Sequence, residues 1–145
     1  MLVKDWMSET VITVDVNDSM QEAMNRLKEN NISMLPVMKK GKIVGIVTDR
    51  DLKRASASDA NTLEVHELLF LITKIKVKDI MTENPVTLPF DFTVEEAAEV
   101  LLEKKISGAP VVDGEGNIIG LITKNDLFRV LIALTGVGKR GIQFA

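Results

Sequence analysis

Residues 3–54 of this chain are written a second time over residues 77–129, and no other feature limits the possible folds as much. The offset is 74 residues, rising to 75 after one inserted residue near Gly114. Val3-Lys4-Asp5-x-Met7 returns as Val77-Lys78-Asp79-x-Met81, and Ile32-Ser33-x-x-Pro36-Val37 returns as Ile106-Ser107-x-x-Pro110-Val111. Gly45-Ile46-Val47-Thr48-Asp49-Arg50-Asp51 returns as Gly120-Leu121-Ile122-Thr123-Lys124-Asn125-Asp126. Two copies are too few for a solenoid, whose units bury a face only by stacking in series. The expectation is an α/β pair of units related by a pseudo-twofold and sharing one core.

Both copies have the same internal grammar. A Val-Lys-Asp-x-Met turn leads to a short strand, Val11-Ile12-Thr13-Val14 or Val86-Thr87-Leu88. Ser19-x-x-Glu22 and Thr93-x-x-Glu96 spell capping boxes, in which a hydroxyl and a carboxylate satisfy the free donors at a helix start. Behind them Met20, Ala23, Met24 and Leu27 fall at helical spacing, as do Val94, Ala97, Ala98 and Leu101. These helices should end near Asn30-Asn31 and Lys104-Lys105. A strand follows the Pro in each copy, then a turn at Lys40-Gly41 or Asp113-Gly114-Glu115-Gly116, then a strand over 43–47 or 118–122. A last helix starts after Thr48 or Thr123, so the order is β-α-β-β-α, twice.

This divides the chain into a first unit (1–58), a linker and connecting helix (59–76), a second unit (77–134) and a tail (135–145). Residues 55–62 are small and polar, as a linker is. Asn61 with Glu64 would cap a helix over about 63–72, apolar almost all round and so expected to be buried on more than one side, the second side being another subunit. The tail carries glycines, a basic pair and an alternating apolar start, which reads as the opening of a further domain in a longer protein.

With 46% apolar and 27% charged residues and a net charge of −3, the chain has no basic excess of the kind nucleic-acid binding uses. It contains no Cys, which excludes disulfides, thiolate metal sites and Cys nucleophiles. Charged residues stand where a signal peptide needs an apolar core, and the longest apolar run, around 65–75, is interrupted by His66, Glu67 and Lys74. The expectation is a cytoplasmic protein that does not enter a membrane.

The Thr-x-x-Asp that closes each copy has two readings. A Thr at a helix start beside exposed backbone N–H groups favours an anion, and the Asp can accept from sugar hydroxyls, so together they can hold a phosphate and a ribose. The same pattern is an N-cap with an acid at the third helical position, which stabilises a helix with no ligand. Other signals are weaker. His66 has no nucleophile beside it and reads as a structural or interface residue. Asp15-x-Asn17-Asp18 lacks the rest of a calcium loop and reads as a turn with a cap. Gly136-x-Gly138-Lys139 lacks the spacing of a P-loop. Met20, Met24, Met34 and Met38 read as gap-filling core, and Trp6, which aligns with Ile80, as a packing residue. No nucleophile–base pair, metal set or catalytic cofactor motif stands out, so the chain reads as a binding module rather than an enzyme.

The tandem β-α-β-β-α unit, with its Gly-φ-φ-Thr-x-x-Asp ending (φ an apolar residue) and its Ile-Ser-x-x-Pro-Val strand, resembles the CBS-domain pair, or Bateman module, over residues 3–131. The connecting helix before Lys76-Val77-Lys78-Asp79-Ile80-Met81 and the glycine-rich tail are similar to acetoin-utilisation-type proteins, where a CBS pair precedes an ACT domain. The resemblance implies a homodimeric regulatory module that binds AMP, ADP, ATP or S-adenosylmethionine in two clefts between its units and relays a change to an attached domain or partner. One implied cleft combines Thr48, Arg50 and Asp51 with Thr87, Gly108, Ala109 and Pro110. The other combines Thr123, Lys124 and Asp126 with Thr13, Met34, Leu35 and Pro36. Arg50 can fork onto phosphate and Gly108-Ala109 leave room for a base, whereas Asn125 replaces Arg50 and Met34-Leu35 are bulky in the other cleft, so the first should fill first. The alternative is a ligand-free structural dimerisation module in which the Thr-x-x-Asp pairs serve only as caps.

Overall fold

A computed structural model of the chain describes residues 1–60 and 64–136, with the backbone alone for 56–60. The elements in order are α1 (Val3–Trp6), β1 (Val14–Asp15), α2 (Met20–Glu29), β2 (Met34–Lys39), β3 (Lys42–Thr48), α3 (Asp49–Ala60) and α4 (Val65–Lys74). They continue as α5 (Val77–Ile80), β4 (Thr82–Glu83), β5 (Leu88–Pro89), α6 (Val94–Lys104), β6 (Gly108–Val112), β7 (Ile118–Thr123) and α7 (Lys124–Thr135). The Val-Lys-Asp-x-Met turns are single helical turns, α1 and α5. The first strand of each repeat is shorter than expected, with Val11 to Thr13 and Val86 to Thr87 running into it as irregular chain.

Two compact units emerge. An inner unit spans Ile12–Pro85, and an outer unit joins Met1–Val11 to the described residues from Val86 onward. Each unit therefore contains one repeat's helices and hairpin together with the leading segment of the other repeat. In the inner unit the Val77 N–H donates to the Asp18 carbonyl at 2.8 Å and the Met20 N–H to the Ile75 carbonyl at 2.8 Å. In the outer unit the Val3 N–H donates to the Phe92 carbonyl at 2.8 Å and the Val94 N–H to the Met1 carbonyl at 3.0 Å. Each unit has a buried cluster of its own. Val77 is buried with Val14, Met20, Leu35, Val37 and Val47, and Val3 with Leu88, Ala97, Val111 and Ile122.

The inner sheet has the order β1-β2-β3-β4: β1 runs parallel to β2, and the β2–β3 hairpin and β4 are antiparallel. Lys40 and Gly41 turn the hairpin with φ of +50° and +79°, the left-handed pair that matches strand twist. The outer sheet is β5-β6-β7, with Ser8 bridging to Leu121 where β4 pairs in the inner unit.

Two glycines explain why each leader docks where it does. A Cβ on Gly45 would lie 2.6 Å from Met81 Sδ and 2.9 Å from the Thr82 carbonyl oxygen. The site that a Cβ on Gly120 would take is crowded by Met7. The motif Met of each leader thus seats on the motif Gly of the unit it completes.

Both α2 and α6 end as expected. Asn31 and Lys105 adopt φ of +51° and +56°, and the next amides, Ile32 and Ile106, reach back to the Leu27 and Leu101 carbonyls at 3.0 and 3.1 Å. Thr93 and Glu96 form the full capping box, with Thr93 N–H on Glu96 Oε1 at 3.2 Å and Glu96 N–H on Thr93 Oγ1 at 3.1 Å. Ser19 caps Glu22 N–H at 3.1 Å, but the Glu22 carboxylate turns to Arg26 Nε at 3.0 Å instead.

Two further expectations need correction. The stretch 55–62 is not a loop throughout, because α3 continues to Ala60; it holds neither Gly nor Pro, and its alanines favour helix. Asn61 lies outside the described residues, and α4 begins at Val65 without a side-chain cap from Glu64. On α4, Ile72 is buried against α2 and α3, while Val65, Leu69 and Phe70 are exposed on the single chain. Trp6, Met20 and Met24 pack with the cores as expected, Met34 is buried and Met38 half-buried, and Asp15, Asn17 and Asp18 form the expected turn. Gly136 ends α7 at φ +67°; the other residues of the tail, Gly138 and Lys139 included, lie outside the described residues.

Candidate functional site

The Thr-x-x-Asp segments stand where β3 passes into α3 and β7 into α7. In the inner unit the Asp51 carboxylate accepts from Thr48 N–H at 2.9 Å and Thr48 Oγ1 at 3.0 Å, and Asp51 N–H donates to Thr48 Oγ1 at 3.2 Å. The outer unit repeats this, with Asp126 Oδ2 2.9 Å from Thr123 N and 3.2 Å from Thr123 Oγ1. The cap reading is therefore realised twice.

The cap does not use every donor of the first turn. The Asp49 N–H donates to the Ser33 carbonyl at 3.0 Å, and the Lys124 N–H to the Ser107 carbonyl at 2.9 Å. This gives the Ile-Ser-x-x-Pro-Val motif a task that sequence did not reveal: its Ser carbonyl receives the first amide of the helix that follows. Among the described residues, the second-position amides, Arg50 and Asn125, have no hydrogen-bond partner. At the inner helix start the exposed Arg50 side chain stands beside that donor, and the Asp49 carboxylate is paired with Lys53 at 2.9 Å. Asp49 thus opposes an anion less than its bare charge suggests.

The two carboxylates differ in availability. Asp126 is 7% exposed, and its second oxygen accepts from Arg129 Nη1 at 2.7 Å. Every hydrogen bond described for the Asp51 carboxylate runs through Oδ2. Arg129 was not anticipated, although its spacing of three residues from Asp126 is a legible helical pair.

The strand residues assigned to base contact also have definite places. Met34 lies opposite Thr48 in the β2–β3 ladder and Gly108 opposite Thr123 in the β6–β7 ladder; Leu35, Pro36, Ala109 and Pro110 follow and are buried. Thr13 and Thr87 are half-buried just before β1 and β5. The Thr13 carbonyl accepts from the Arg26 guanidinium, which also meets Glu22 and Asp18; Val100 occupies the matching position in the outer unit. Each unit thus carries a complete half-site, Thr13, Met34–Pro36 and Thr48–Asp51 in one, Thr87, Gly108–Pro110 and Thr123–Asp126 in the other. The two clefts implied by the sequence each draw on both units. Of the cavities described in the inner unit, one of about 840 Å³ lies along α2, α3 and α4 and reaches Ser33 and Asp49; Thr48 and Asp51 do not line it. His66 is exposed and 3.4 Å from Glu64, outside either half-site.

A duplicated unit with a short leading helix, a strand–helix–hairpin core and a capped Thr-x-x-Asp helix start defines a class of paired α/β modules. The family model of the CBS domain matches residues 3–58 and 77–133, and the chain belongs to the CBS-domain family. A CBS domain-containing protein of Dictyostelium discoideum is 36% identical over 132 residues, covering 90% of this chain and 91% of that protein. The solved CBS domain pair of protein MJ0100, in complex with 5′-methylthioadenosine and S-adenosyl-L-methionine, superposes with a TM-score of 0.77 at 34% identity over 90% of this chain and 99% of that one. CBSX2 of Arabidopsis thaliana, solved in complex with AMP, superposes with a TM-score of 0.75 at 33% identity, over 92% and 98%. Among the described residues, no helix is long and apolar enough to cross a membrane.

Proposed function

We propose that this chain is a cytoplasmic regulatory module that binds an adenine nucleotide or S-adenosylmethionine and relays its occupancy to an attached domain or partner. The observation that carries the reading is the helix start at Thr48, where the Arg50 N–H has no partner among the described residues, the Arg50 side chain is exposed, and the Asp51 carboxylate bonds through Oδ2 alone. Backbone donors at a helix N-terminus with a fork-shaped cation suit phosphate, and the carboxylate suits vicinal ribose hydroxyls. The AMP, 5′-methylthioadenosine and S-adenosylmethionine bound by solved relatives support the ligand class. Binding favours the site containing Thr48, Arg50 and Asp51, completed by Thr87 and Gly108–Pro110. The site with Thr123, Lys124 and Asp126, completed by Thr13 and Met34–Pro36, is weaker because Arg129 already occupies the Asp126 carboxylate.

The exposed apolar faces of α4 (Val65, Leu69, Phe70) and α7 (Phe128, Leu131, Leu134) support a homodimer in which a second copy covers them. A downstream domain of ACT type is the occupant we propose for the attached position. Occupancy can shift such a switch only by the ligand's difference in affinity between its states.

A thermal-shift series with AMP, ADP, ATP and S-adenosylmethionine tests the reading. A ligand that binds the folded state at about 100 times its Kd adds about 2.7 kcal/mol, which raises Tm by roughly 5–10 °C for a chain of this size. By isothermal titration, Asp51→Ala should weaken binding more than Asp126→Ala does. No shift with any of the four would leave the ligand-free dimerisation module standing; a larger loss from Asp126→Ala would reverse the ranking of the sites.

A further inference from the structure

We propose that the inner unit holds a second binding site, independent of the nucleotide half-sites, for a small anion with a flat apolar body: a phosphate monoester or carboxylate on an aromatic or similar group. The site is a cavity of about 500 Å³ at the hairpin end of the inner sheet, beneath the leader helix α5. That volume is within the range of small-molecule pockets. Its floor is apolar, from Val16, Val44 and Met81. Its rim carries two ammonium groups, Lys39 at the end of β2 and Lys78 on α5, with the Asn17 amide and one carboxylate, Glu83. Among the described residues neither lysine lies within ion-pair distance of a carboxylate. The wall is held by two backbone amides: the Lys78 N–H donates to the Val16 carbonyl at 3.2 Å, and the Asn17 N–H to the Asp15 carboxylate oxygen Oδ2 at 2.9 Å. Two unpaired cations over an apolar floor suit a ligand with one charged end and one greasy end.

The duplication provides an internal control. At the corresponding outer positions Phe90 replaces Val16, Asp91 replaces Asn17 and Asp113 replaces Lys39, while Lys4 is kept for Lys78 and Glu9 for Glu83. Phe90 packs against the outer core, and Lys4 Nζ sits 6.0 Å from its ring centroid, so the retained lysine uses an aromatic ring of its own chain. The outer rim thus has one lysine against three carboxylates, where the inner rim has two lysines against one. The same backbone rejects an anion in one unit and accepts it in the other. The outer unit puts an aromatic ring of the chain under the lysine; the inner unit leaves that place for a ligand.

The test is titration of the full chain with phenyl phosphate, followed by ¹H–¹⁵N correlation spectra, with inorganic phosphate and benzyl alcohol as single-feature controls. Phenyl phosphate should give saturable shifts at the amides of 16–17, 39, 43–44, 78 and 83–84, at least tenfold tighter than either control. Val16→Phe and Lys39→Asp each install what the outer unit already carries, and each should weaken this binding at least tenfold. Either variant that keeps the wild-type spectrum elsewhere suffices for the comparison. The proposal is overturned by absence of saturable shifts at those amides, by shifts confined to the helix starts at Thr48 and Thr123, by controls that bind as tightly, or by binding that survives both substitutions.

Discussion

Adding a single methyl group at Gly45 tests how each leader is seated. The new Cβ would meet Met81 Sδ at 2.6 Å, Met81 Cγ at 3.1 Å and the Thr82 carbonyl oxygen at 2.9 Å. The thioether can swing aside, but the carbonyl belongs to β4, which pairs with β3 through Gly45 opposite Glu83 and Ile46 opposite Thr82. Relieving that contact means loosening the β3–β4 ladder. Overpacking of this kind costs about 1–3 kcal/mol, and the backbone contact puts Gly45→Ala near 2 kcal/mol. For a chain of this length that is a Tm loss of roughly 4–8 °C. Met81→Ala in the same chain removes the sulfur clash and leaves the carbonyl one, so the pair should be less destabilising than the sum of the two changes by about 1 kcal/mol. Gly120→Ala is the contrast, since the three atoms nearest its new Cβ all belong to the Met7 side chain. There Met7→Ala should cancel the clash almost entirely. Urea unfolding of the four single and two double variants, followed by circular dichroism, measures both cycles. Strict additivity at Gly45, or a Gly45→Ala variant within about 0.5 kcal/mol of wild type, would refute the Met-on-Gly account.

Two further outcomes follow from local geometry. Asp113 accepts from the Asn117 backbone N–H, chiefly, and from Glu115 N–H, both at 2.9 Å, which hold its carboxyl below the ordinary Asp value of 3.8. A carboxyl depressed in the folded state contributes stability that is present above pH 3.8 and lost as the pH falls through the lower folded value. Asp113→Asn should therefore flatten the acid limb of the stability–pH curve below pH 4, and an unchanged limb would show that the turn does not depend on the charge. Lys105, at φ +56°, pays the left-handed strain of a non-glycine residue where α6 ends. Lys105→Gly should stabilise by about 0.5–1 kcal/mol, seen as a Tm rise of roughly 1–4 °C; a fall would mean that the Lys105 side chain contributes more than its backbone costs.

What the sequence determined by itself is what repeats and what is local. The duplication set the number and order of the main elements, because a helix period, a capping pair and a turn glycine act within a few residues of themselves. Ser19 and Thr93 as caps, the helix ends at Asn31 and Lys105, and the Thr-x-x-Asp starts at Thr48 and Thr123 were all legible for that reason. Only the tertiary structure decided which copy each piece serves. Val3 and Val77 carry nearly the same motif, so nothing in the string says that each leader docks on the other repeat's hairpin; that follows from Met7 and Met81 reaching Gly120 and Gly45. The same holds for the inequality of the half-sites, since the grip of Arg129 on Asp126 and the open second oxygen of Asp51 depend on where side chains come to rest. Local signals write the parts twice over; contacts between residues far apart in the chain make the two copies differ.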